Sequence, residues 1–143
     1  MKQLNLALLT GSVGVRTMAA PGDQKSFDRK QFFAGEVIFQ HNEIGNRAYL
    51  VEFGTVEISR GHGDKRVVLG RVGPGGIFGE LAPIDGQGRV ADAKAVTDTT
   101  CLVVPGDVLR DKLERTDPFI RALLRIMARN LRSSTEKLAG DAQ

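Results

Sequence analysis

Between residues 36 and 104 the apolar residues fall in short runs, each closed by glycine or by a polar turn. The runs are Glu36-Val37-Ile38-Phe39, Ala48-Tyr49-Leu50-Val51-Glu52, Thr55-Val56-Glu57-Ile58-Ser59, Val67-Val68-Leu69 and Thr100 to Val104. Such runs are too short for a helix to bury a face, and their β-branched and aromatic content suits strands. An all-β barrel or jelly roll (double-stranded β-helix) over about 32–104 is the expectation. Gly54-Thr55 reads as a tight hairpin in which glycine supplies a positive φ, and Gly61-His62-Gly63-Asp64 as a second turn.

After Pro105-Gly106 the period becomes helical. Asp107 is the expected N-cap for Val108 to Leu113. Asp117-Pro118 then offers a cap and a first-turn proline to an amphipathic helix of about 15 to 20 residues. Its apolar positions are Ile120, Leu123, Leu124, Met127 and Leu131. The predicted class is therefore mainly β with C-terminal helices at about 107–137, a domain of 27–138 preceded by an irregular extension at 1–26.

The 143 residues suit one domain with a real core, and a charged fraction of 26% argues against disorder throughout. A net charge of +3 is modest; the basic stretch from Arg110 to Arg132 reads as a solvated helix face rather than a nucleic-acid surface. The one cysteine, Cys101, lies in an apolar run and reads as a small buried hydrophobe. No stretch approaches the ~18 apolar residues of a membrane span. The start faintly resembles a signal peptide, but Asn5 and Thr10-Gly11-Ser12 break its apolar region, so a cytoplasmic protein is expected. His41 and His62 lie in separate loops without a ligand cluster, so neither a metal site nor a metal-dependent enzyme of the barrel type is expected.

The stretch Gly73 to Ala95, GPGGIFGELAPIDGQGRVADAKA, carries the candidate chemistry. Arg89 offers a planar, permanently charged fork for phosphate oxygens. Its small-residue neighbours let backbone amides approach an anion. Glu80, acceptor-only when ionised, suits a sugar hydroxyl and repels phosphate. Leu81 to Asp85 can form one helical turn, with Pro83 tolerated in it. The combination fits a phosphorylated sugar.

The block Phe78-Gly79-Glu80-Leu81-Ala82, a polar loop, then Arg89-Val90-Ala91 resembles the phosphate-binding cassette of the cyclic nucleotide-binding domain family, shared by kinase regulatory subunits, gated channels and catabolite activator-type regulators. The resemblance covers about Phe33 to Arg132. It implies that Gly79, Glu80, Leu81, Ala82, Arg89, Val90 and Ala91 hold a cyclic nucleotide, and that Val68, Arg129, Leu131 and Arg132 are base contacts. Relatives often place a hydroxyl residue directly after the arginine. Val90 lacks one, so cyclic AMP is expected over cyclic GMP. Asp92 stands where many relatives have serine or threonine, and strand alternation is expected to turn it from the phosphate. The expected function is a stand-alone, non-enzymatic sensing module with no cofactor and no DNA-binding domain. It would signal through its last helix to an effector protein. The alternative is a relative that has lost ligand binding and serves as an interaction module.

Overall fold

The computed structural model describes residues 27–141. The expectations for residues 1–26, the extension and its leader-like start, lie outside the described residues. Eight strands follow in order: β1 Arg29–Phe32, β2 Val37–Phe39, β3 Arg47–Phe53, β4 Val56–Arg60, β5 Val67–Val72, β6 Ile77–Phe78, β7 Asp92–Ala95 and β8 Thr99–Pro105. They form two four-stranded antiparallel sheets, ordered β1-β8-β3-β6 and β2-β7-β4-β5. The chain crosses repeatedly from one sheet to the other, which is the jelly-roll arrangement that the glycine-punctuated runs predict.

The core lies between the sheets. Alternation along β3 sends Tyr49 and Val51 inward, where they meet Phe32, Phe39, Val56, Phe78 and Val103. Tyr49 stacks on Phe78 with centroids 5.1 Å apart, and Phe32 meets Tyr49 edge-on. Burial of Phe39 and Phe78 contributes roughly 1.5–3 kcal/mol each. Phe32, Tyr49 and Phe78 come from one sheet, and in the other β7 presents only Ala93 and Ala95, both fully buried, which leaves room beside them for the Phe39 ring of β2. Cys101 is buried in the same core, and its thiol is pushed up to about 12, mainly by burial. It packs as a hydrophobe.

Gly54 departs from expectation. Its φ of +89° is the positive value foreseen. Yet β3 pairs with β6 and β8 while β4 pairs with β5 and β7, so the turn is a corner between sheets and not a hairpin within one. The Gly61–Asp64 turn does join two paired strands, β4 and β5.

Among the described residues three α-helices complete the fold: α1 Leu81–Asp85, α2 Gly106–Glu114 and α3 Pro118–Asp141. Helix α2 starts one residue before Asp107, because Pro105 ends β8 in an extended conformation and takes the capping position; Asp107 Oδ1 accepts the N–H of Val108 inside the first turn. Asp117 Oδ1 accepts the N–H of Phe119 at 2.9 Å, the expected cap for α3. At 24 residues α3 outruns the apolar pattern that announced it. It packs on α1, α2 and β5.

Candidate functional site

Between β6 and β7 the chain makes a tight excursion. After Phe78, Gly79 takes φ +76°, Glu80 leads into α1, and Gly86 closes the turn at φ +72° with its N–H donating to the Ala82 carbonyl at 2.8 Å. Pro83 is the third residue of α1, in the first turn where its missing donor has no intrahelical partner. Leu81, Ala82 and Pro83 are buried, which anchors α1 against the fold.

The next segment brings Arg89 into the interior, only 4% exposed. Its guanidinium carbon sits 4.1 Å from the centre of the Phe39 ring. Nη1 donates to the Gly79 carbonyl at 2.8 Å. This is its one side-chain hydrogen bond among the described residues, although a guanidinium has five N–H donors. Nε is buried without any acceptor. Burial depresses the Arg89 pKa, opposed by Tyr49, Glu43 and Glu80, and the group stays cationic.

Two glycines make room for this side chain. A Cβ on Gly79 would lie 2.9 Å from Nη1, and one on Gly45 would lie 2.5 Å from both Nε and Nη2. The β2–β3 loop also holds the Arg89 backbone from both sides. Arg89 N–H donates to the Glu43 carbonyl at 2.9 Å, and Asn42 N–H donates to the Arg89 carbonyl at 2.8 Å. The position of the arginine is thus set by residues more than forty places away in the sequence.

Glu80, partly buried, faces the same space. Desolvation raises its pKa above the ordinary 4.5, while a hydrogen bond to its own backbone and the Arg89 charge pull the other way. The cavity between these groups has a volume of ≈ 80 Å³. Its wall includes Gly79, Glu80, Leu81, Ala82, Arg89, Val90 and Ala91, so the seven cassette positions singled out in the sequence converge on one space. Leu131 reaches it from α3.

The other three candidates lie elsewhere. Val68 is 47% exposed and off the cavity, and its neighbour Leu69 lines it instead. The cause is an irregularity in the β4–β5 register: Ile58 pairs with Gly70 but Ser59 with Val68, leaving Leu69 as an extra residue that reverses the alternation. Arg129 is exposed on α3, outside the cavity. Arg132 turns its guanidinium to the cassette: Nε lies 2.5 Å from Asp85 Oδ2, Nη2 3.0 Å from Asp85 Oδ1, and Nη1 donates to the Gly88 carbonyl at 2.9 Å. Asp92 is not in the cavity wall. Its Oδ1 accepts the N–H of His41 at 2.6 Å, so it is turned toward the β2–β3 loop.

Sequence reasoning passed over Phe39, Leu69, Thr135 and Leu138, all in the wall. Thr135 and Leu138 follow Leu131 at helical spacing on α3, beyond the point where the apolar stripe predicted from the sequence ends. A second ion pair, Arg60 Nη1 to Glu136 Oε2 at 3.0 Å, holds the same part of α3 to β4. Close by, burial and the Arg60 charge lower the pKa of His41 from 6.5. No group of metal-ligating side chains occurs among the described residues, and no helix there is long and apolar enough to cross a membrane.

Comparison with known proteins converges on this arrangement. Residues 29–116 match the cyclic nucleotide-binding domain family. A CRP-like cAMP-activated global transcriptional regulator of Mycobacterium tuberculosis is 32% identical over 127 residues, covering 88% of this chain and 57% of the regulator. The cyclic AMP receptor protein of Thermus thermophilus is 33% identical over 113 residues, covering 78% and 52%. The chain thus spans about half the length of these curated relatives. Among solved structures, the EAL enzyme Bd1971 in its cAMP-bound form superposes with a TM-score of 0.74 at 28% identity, over 80% of this chain and 30% of that one.

Proposed function

The chain belongs to the cyclic nucleotide-binding domain family, and from that premise we propose that it is a regulatory, non-enzymatic module that binds cyclic AMP between its cassette and helix α3. The observation that carries the proposal is Arg89: a buried cation, with Nε lacking any acceptor, beside a cavity. A buried donor without a partner costs roughly 1–3 kcal/mol. A cyclic phosphodiester supplies the missing acceptors and the counter-charge together. The amides around Leu81, Ala82, Val90 and Ala91 are further donors in this reading, and Glu80 takes a ribose hydroxyl.

Leu69 and Leu131 would flank the purine, with Thr135 the polar group of α3 within reach of its edge. Val90 has no hydroxyl to offer a guanine, and the names of the two curated relatives point to cyclic AMP. A cavity of about 150 Å³ holds a benzene molecule, so the ≈ 80 Å³ here cannot take a nucleotide with every side chain in place. Wall side chains therefore yield on ligand entry, α3 then seats over the bound nucleotide, and an effector protein reads that change.

The test is thermal unfolding of nucleotide-stripped protein with and without cyclic AMP. A ligand at a hundredfold excess over Kd stabilises the native state by about 2.7 kcal/mol. Wild type is expected to melt higher with cyclic AMP, and Arg89→Ala to shift far less at the same concentration. Equal shifts in both proteins would remove Arg89 from the site, and no shift in either would end the nucleotide reading.

A further inference from the structure

On the far side of the cassette helix lies a second concavity of ≈ 370 Å³, lined by Ile84, Asp85 and Gln87 below and by Arg125, Arg129 and Arg132 above. We propose that this groove is a separate binding site for a small anion carrying a diphosphate or longer phosphate chain. Positions 125, 129 and 132 are spaced four and three apart, so the three guanidinium groups share one face of α3. Arg125 and Arg129 lie about 6 Å apart along the helix axis, so two linked phosphate groups can engage both forks at once where a single phosphate meets one of them squarely. Arginine's fork suits phosphate oxygens in pairs.

A row of arginines on a helix is commonly just a solvated face, and two further features separate this one from that. The row overhangs a concavity whose floor is Ile84, Asp85 and Gln87. Its carboxylate is also already occupied. Both oxygens of Asp85 engage Arg132, and Oδ1 in addition accepts the N–H of Gln87 at 3.0 Å. Asp85 therefore cancels Arg132 and fixes it as a rigid wall. Arg125 and Arg129 are left with no hydrogen bond or ion pair to an acid among the described residues. The groove keeps two uncompensated positive charges facing a preorganised floor.

An anion here would join α1 to α3, the same two elements that enclose the Arg89 cavity. Resting on the reading of that cavity as the cyclic nucleotide site, the groove is expected to couple positively to it, because both ligands favour α3 seated on the cassette.

Calorimetric titration of the full chain with inorganic pyrophosphate in magnesium-free, low-salt buffer tests the site. Binding near one equivalent is expected, tighter than for inorganic phosphate and weakened as salt rises. In the Arg125→Gln/Arg129→Gln variant, both changes being on exposed positions, affinity should fall at least tenfold. In Arg89→Ala it should stay within threefold of wild type. ADP binding more tightly than pyrophosphate, with the same variant pattern, would assign the groove to a nucleoside diphosphate; equal affinities would assign it to the phosphate chain alone. Loss of pyrophosphate binding in Arg89→Ala, or its displacement by cyclic AMP, would put the anion in the nucleotide cavity and overturn the proposal. So would equal affinity in wild type and double variant, absence of any heat, or binding to duplex DNA but not to pyrophosphate. Should cyclic AMP not bind at all, the pyrophosphate series still decides the groove by itself.

Discussion

The two concavities flanking α1 use arginine in opposite ways. In one, a single guanidinium is buried over Phe39 with one hydrogen bond of its own, in a cavity of ≈ 80 Å³. In the other, Arg125 and Arg129 stand in solvent above a groove of ≈ 370 Å³, next to an Arg132 whose charge is already matched. A buried cation with missing acceptors is destabilising until a ligand arrives, so it discriminates strongly between occupied and empty states. Exposed cations lose little when empty and gain little when filled, and salt screens them. The difference between a specific site and an electrostatic one thus lies in burial, not in the number of arginines.

The most severe break of this comparison is Arg89→Lys. Charge is retained but the planar fork is lost, along with the stacking on Phe39. Cyclic AMP affinity is expected to fall at least tenfold, while pyrophosphate binding in the groove stays within threefold. Calorimetry with both ligands checks it; retained nucleotide affinity would mean that charge alone suffices and that the two sites differ less than burial implies.

Asp85→Asn should have the next largest effect. Asp85 and Arg132 are largely buried, with side-chain exposures of 17% and 12%, and their pair ties α3 to the cassette. Hydrogen bonds to charged groups contribute about 1.5–3 kcal/mol. The variant is expected to unfold at lower denaturant and to release cyclic AMP roughly tenfold faster. Pyrophosphate affinity should not fall, since a negative charge has left the groove. An unchanged nucleotide off-rate would show that the pair only stabilises the fold.

Glu80→Gln sharpens the contrast through pH. A carboxyl whose folded pKa is raised lets the native state hold more protons than the unfolded chain. Its contribution is full below the ordinary 4.5 and is lost as pH rises through the folded value. The ligand-free variant should accordingly melt above wild type at neutral pH, with the gap closing as pH falls toward 4.5, while cyclic AMP affinity drops by up to about tenfold. His41 works in the opposite direction, since its lowered pKa makes stability fall as pH drops below 6.5. A pH-independent gap for Glu80→Gln would discard the desolvation account. The smallest effect is expected for Asp92→Ser, which removes an acceptor from the His41 amide at about 1 kcal/mol of stability. Cyclic AMP affinity should change by less than about threefold; a large gain would mean that Asp92 faces the phosphate when ligand is bound.

Much of the Arg89 cavity was legible because the cassette part of its wall is nearly contiguous in the sequence. Residues 79–82 and 89–91 occupy one excursion, so glycines, a short helical turn and a basic residue could be read together without knowing the fold. The jelly roll was legible for a similar reason: glycine-punctuated β runs leave few other ways to bury Tyr49, Val51 and Val103. Strands β1, β6 and β7 left weak signals, the first with Arg29, Lys30 and Gln31 exposed, the second two residues long, the third carrying only alanines inward.

What the sequence by itself determined is local: strand and helix periods, the cap at Asp117, the cassette and its charge pattern. Only the tertiary structure decided the rest, because each remaining feature depends on residues far apart in the chain. Gly45 matters through Arg89, 44 positions away, and Arg132 through Asp85, 47 positions away. An extra residue in β5 gives Leu69 the place that alternation assigns to Val68, a shift visible only once β4 is alongside. A side chain's partner is set by where the backbone returns in space, and that return depends on the packing of the whole core.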